Sequence, residues 1–119
     1  MTPDLSDHRQ DVPALGALAD RIGDHILVTH SAGGFPGWVA AMQSPQVKAV
    51  ISYEPGGFVF PEGEVPERID GLTGGVAGTP VPMEQFKRLT EIPIALYFSD
   101  YIPETPSENL GDENWRVRL

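Results

Sequence analysis

The sequence predicts an α/β fold: a parallel sheet with helices on both faces. Three observations predict it. Short apolar, β-branched runs alternate along the chain with stretches of helical periodicity. At least one of these runs is nearly continuous in apolar character, as expected of a strand covered on both sides. The chain has 119 residues, enough for one small domain and too few for two.

Taken in order, residues 11–22, DVPALGALADRI, place Val12, Leu15, Leu18, Ala19 and Ile22 on one helical face. Asp11 can cap the start, Pro13 suits the first turn, and Gly23 is a natural stop. HILVTH, 25–30, reads as a strand buried on both faces. A helix follows over about 33–43, with Pro36 tolerable only in its first turn and Ser44-Pro45 ending it. VKAVISY, 47–53, is a second strand and IPIALYF, 92–98, a third, preceded by a short helix in MEQFKRLTE. A last helix begins at DENWRVRL, 112–119. Three strands are few for such a sheet, so at least one edge should be bare or paired elsewhere.

Residues 1–10 form a polar tail. Between the second and third strands, 12 of the 28 residues from 55 to 82 are Gly or Pro, which disfavours both helix and strand. The segment reads as a long loop, either an insertion or a lid that faces substrate.

Charge and composition exclude several functions. With 17 acidic residues against 8 Lys and Arg, the formal charge is −9. That surface repels phosphate backbones and anionic lipid, so neither nucleic acid nor membrane is an expected partner. No apolar run is long enough to span a bilayer. Cysteine is absent, which removes disulfides and thiolate chemistry. The three His are scattered without metal-ligand spacing, and no cofactor motif is present. The polar N-terminus has no signal-peptide core, which implies a cytoplasmic protein if the natural start is present; a form with a longer N-terminus is open to secretion.

The stretch with chemical content is ILVTHSAGGFPGW, 26–38. A nucleophile elbow needs a strand, a very tight turn and a helix, with small residues two positions either side of the serine, as in G-x-S-x-G. The window here is Thr29-His30-Ser31-Ala32-Gly33: Ala32 and Gly33 fit, and Thr29 replaces the usual Gly. Ser31 is the candidate nucleophile. The Ala32 N–H, at the start of the helix, could hold an oxyanion. The same window is also compatible with a serine that merely caps a strand-to-helix turn. A dinucleotide turn is disfavoured, because Gly33, Gly34 and Gly37 lack the G-x-G-x-x-G spacing.

Two carboxylates follow strand ends. Glu54 comes after VISY and Asp100 after ALYFS, both at the carboxyl edge where parallel sheets carry their ligands. Pro55 restricts the backbone of Glu54.

THSAGG, SYEPGG 23 residues later, IPIALYFSDYIP and DENWRVRL together resemble a bacterial esterase-like branch of the α/β-hydrolase superfamily. The resemblance runs from about residue 11 to the end. It implies a partial α/β-hydrolase fold and a serine esterase that acts on carboxylic esters through an acyl-enzyme, with no cofactor and no metal. It implies Ser31 as nucleophile, Ala32 as oxyanion donor and Glu54 as the triad acid, since in that branch the acid follows the next strand. Asp100 matches the superfamily's more usual acid position and stands as the alternative. The family pattern also expects earlier strands and a later catalytic His, so the chain reads as a central fragment whose own activity is doubtful.

A serine needs a base to take its proton. His25 begins the strand that Ser31 ends, roughly 20 Å away at about 3.3 Å per residue. His30 is expected to pack under the elbow, and His8 lies in the polar tail. Trp38, Phe58, Val59 and Phe60 are candidates to line a substrate pocket, with Trp38 expected in the core. The rival reading is a non-catalytic module that keeps the hydrolase shape and binds a ligand or a second chain through an exposed sheet edge.

Overall fold

The computed structural model describes residues 11–66 and 77–99. Expectations for His8, Asp100 and the helix over 112–119 lie outside the described residues.

Helix α1 (Asp11–Ile22) stops at Gly23, whose φ of 81° is left-handed and suits a residue without a Cβ. Strand β1 (His25–His30) leads into a 3₁₀ turn over Ser31–Gly33 and then helix α2 (Gly34–Gln43), with Pro36 in its first turn. Strands β2 (Val47–Tyr53), β3 (Gly57–Pro61) and β4 (Ala77–Val81) follow, then helix α3 (Met83–Thr90) and strand β5 (Ile94–Tyr97). The α/β character and the three long-range strands therefore stand where the sequence placed them.

The main sheet has the order β1-β2-β5 and is parallel throughout. Each strand is added to the same side of the last, with α2 in the first crossover and α3 in the second. Crossovers of one hand then put their helices on one face. Accordingly α2 packs on β1 and β2, and α1 and α3 both pack on α2. Trp38, Ala41, Val47, Val50, Val59 and Leu89 belong to the resulting core.

This corrects the expectation of helices on both faces: among the described residues they form one layer. It also corrects the reading of β1 as a strand buried on both sides. Leu27 and Thr29 face α2, but Ile26 and Val28 are each 60% exposed. Apolar character along a strand records that both faces prefer cover, not which element supplies it. Across the outer face, Tyr53 and Tyr97 stack with ring centroids 5.0 Å apart.

The Gly/Pro-rich segment needs a third correction. It contains β3 and β4, which pair in parallel as a separate two-stranded sheet, with β3 packed on α2 and α3. Phe58, Val59 and Phe60 have strong β preference, which outweighs the flanking breakers. Both strands are edges, where Pro61 and Pro80 are tolerated. Gly78 packs closely on the ribbon: a Cβ there would meet the Phe60 ring at 3.0 Å, so the ring would have to give by a few tenths of an ångström.

Candidate active site

The parallel register decides what stands at the carboxyl edge of the sheet. Thr29 is opposite Ser52 and His30 opposite Tyr53. One step further, Ser31 and Glu54 leave the tips of adjacent strands, which lie about 4.8 Å apart in any sheet.

Both residues have unusual backbone. Ser31 has φ 52° and Glu54 φ 43°, and among the described residues no other non-glycine has positive φ. Left-handed backbone in a residue with a Cβ costs about 1–3 kcal/mol and persists only where the surroundings impose it. The surroundings here are specific. His30 is still extended, at φ −142° and ψ 137°, so the chain reverses within one residue. The Ser31 carbonyl accepts the Gly56 N–H at 2.6 Å, which ties the elbow to the segment after Glu54. Gly34 lies against Pro55 so closely that a Cβ would be 2.6 Å from the Pro55 Cβ. Gly37 seats α2 on β1, since its Cβ would be 2.5 Å from Thr29 Cγ2.

Ser31 and Ala32 are exposed, so the tip of the elbow is accessible. Ala32 is the middle residue of the 3₁₀ turn that opens α2. Glu54 is half-buried. Its N–H donates to the Tyr97 carbonyl at 2.8 Å, and its Oε1 accepts the Ser99 N–H. The carboxylate is thereby held between the ends of β2 and β5. Asp100, the alternative acid, lies outside the described residues.

Neither described histidine stands as an obvious base. The Nδ1 of His25 is 2.7 Å from the Gly23 carbonyl oxygen, at the amino end of β1 and away from Ser31. His30 does not pack under the elbow as expected. It is exposed, because strand alternation sends Thr29 inward and its neighbour to the bare outer face. No group of His and carboxylates among the described residues could hold a metal ion, and no described helix is long and apolar enough to cross a membrane.

Of the pocket candidates, Trp38 is a core residue, 4% exposed, whose Nε1–H donates to the Gly57 carbonyl at 2.8 Å. Trp38, Phe58 and Val59 border an apolar cleft of about 260 Å³ against Phe86, Leu89 and Leu96. A second cleft, of about 240 Å³, lies between α1 and β1. Ser31 and Glu54 line neither.

Three features of the site were not anticipated: the Gly56 tether, the Ser99 N–H on Glu54, and a hydrogen bond from Thr29 Oγ1 to Ser52 Oγ at 2.8 Å beneath the strand tips. The first had a signal in the sequence, the Gly pair after Glu54-Pro55. The other two depend on strand register, which the sequence of one strand does not carry.

No family model matches this chain, and no curated protein matches it.

Proposed function

We propose that this chain carries the nucleophile and acid of a serine hydrolase acting on carboxylic esters. Ser31 attacks the ester carbonyl, the Ala32 N–H stabilises the oxyanion, and Glu54 orients a histidine that takes the serine proton. The ester C–O bond breaks as the histidine passes that proton to the departing alcohol, and water then hydrolyses the acyl-enzyme, releasing the carboxylic acid and free Ser31. The observation that carries this reading is the pairing of two left-handed non-glycine residues, Ser31 and Glu54, on adjacent strand tips at the carboxyl edge. Strain of this kind clusters at functional sites, and a relaxed capping serine would have no need of it. Glu54 is preferred to Asp100 because its carboxylate is already held by the Ser99 N–H.

The base is the member that no described histidine supplies, so the test provides one. The chain is treated with a fluorophosphonate in the presence and absence of imidazole, and each serine is scored by peptide mass spectrometry. The expected result is imidazole-stimulated modification of Ser31, at least about tenfold faster than that of the exposed Ser99, and slowed by about tenfold or more in Glu54→Gln. Equal, unstimulated labelling of the two serines rules the proposal out. Without imidazole, p-nitrophenyl acetate should be turned over no faster than by Ser31→Ala.

One observation favours the rival reading, a module that associates through its sheet. The outer face exposes Ile26, Val28, Tyr53 and Tyr97, and β1 pairs with β2 alone among the described strands. Exposed apolar faces and open edges promote self-association. On this reading sedimentation velocity detects a concentration-dependent dimer, and Val28→Lys weakens it by about tenfold or more. A monomer at every concentration discards it.

A further inference from the structure

Beneath the two strained residues lies a feature that the proposed chemistry does not itself use. Thr29 and Ser52 are both buried, 8% and 0% exposed, and their hydroxyls are joined at 2.8 Å across β1 and β2. Each stands two residues before a strained position: Thr29 before Ser31, Ser52 before Glu54. We propose that this buried hydroxyl pair is a positioning element of the Ser31–Glu54 centre, locking the strands in the one register that brings both tips together in left-handed backbone. The proposal rests on the reading of Ser31 and Glu54 as a catalytic pair.

The physical argument is one of discrimination. Two apolar side chains between β1 and β2 would pack in more than one register. A hydroxyl pair does not, because a buried hydroxyl that loses its partner is left unsatisfied. A slip of one residue would set Thr29 against Ile51 or Tyr53, whose side chains belong to the other face of the sheet. Thr29 is held on a second side as well. Its Cγ2 occupies the space left by the missing side chain of Gly37, so the same residue fixes β1 against α2 and against β2. Thr29 stands where the usual elbow has Gly, and a Gly could make neither contact. The elbow therefore receives its orientation from below. The Gly56 N–H on the Ser31 carbonyl and the Ser99 N–H on Glu54 complete the hold from above.

The test is a double-mutant cycle read by urea unfolding of the whole chain, and it needs no enzymatic activity. Ser31→Gly removes the Cβ that makes φ 52° unfavourable. On its own it should raise the folding equilibrium constant about fivefold. Thr29→Val keeps the methyl against Gly37 and deletes the hydroxyl. In that background the elbow can relax, so Ser31→Gly should gain less than about twofold. Thr29→Ser keeps the hydroxyl and should restore the fivefold gain. Should Thr29→Val not fold, Ser52→Ala breaks the same bond from the other strand.

A merely structural role for the pair predicts lower stability in Thr29→Val with no coupling to Ser31. An equal Ser31→Gly gain in both backgrounds therefore overturns the positioning role and leaves the hydrolase reading standing. A Ser31→Gly substitution that gains nothing in any background removes the strain itself, and with it the observation under both proposals.

Discussion

Trp38→Ala is expected to destabilise the chain by about 3–5 kcal/mol, the range for removing a buried aromatic side chain. Domains have only about 5–15 kcal/mol in hand, so the variant should sit near the edge of folding. Two losses combine. The indole fills the space between α2 and the β3–β4 ribbon, 6.4 Å from the Phe58 ring, and its N–H is the donor to the buried Gly57 carbonyl. Trp38→Phe separates them. It retains most of the packing and leaves the Gly57 carbonyl without its indole donor, for an expected loss of about 1–3 kcal/mol. Urea unfolding followed by circular dichroism measures both. A Trp38→Ala midpoint within error of the parent would mean that the ribbon is not seated on α2 as described.

Gly34→Ala should cost about 1–3 kcal/mol or more, although Ala is the better helix former at most positions. The added methyl would lie 2.6 Å from Pro55 Cβ and 2.8 Å from Pro55 Cα. The second of these is backbone, which cannot rotate away. The segment from Glu54 to Gly56 must therefore move, and the Gly56 N–H to Ser31 carbonyl bond is the contact nearest the displacement. Loss of protection at the Gly56 amide in hydrogen exchange, beyond the loss seen at Val50 in the sheet interior, would locate the damage. Unchanged stability and exchange would refute the close approach of α2 to the acid segment.

These two positions show what the sequence conveyed and what it withheld. Helix and strand identities were legible because they depend on local periodicity: the stop at Gly23, Pro36 in the first turn of α2 and the span of β2 follow from neighbours a few residues away. The strand–turn–helix succession around Ser31 was legible for the same reason, since its three parts adjoin in thirteen consecutive residues. What lay across strands was not. Thr29 looked like a departure from an elbow pattern, and only its register partner Ser52 gives it a purpose. His30 was expected to pack beneath the turn because neighbouring side chains diverge at a strand end, yet alternation along β1 sends it to solvent. The ribbon was hidden by composition. Gly and Pro argued against strands in 55–82, whereas in a two-stranded sheet each strand keeps one open edge, where those residues do little harm.

That ribbon has a consequence in time rather than in space. Its strands run the same way, so no tight hairpin can join them, and the connection spans the residues from 62 to 76. Closing such a loop spends chain entropy before any ladder bond repays it. A lone parallel pair has little to offer in return, so β3 and β4 should wait for a surface to condense on. That surface is α2, whose indole already points its donor at the first residue of β3. The topology therefore leads us to expect an order of assembly: α2 and the turn before it early, the ribbon late, and the Glu54 turn between them fixed only when both sides have arrived.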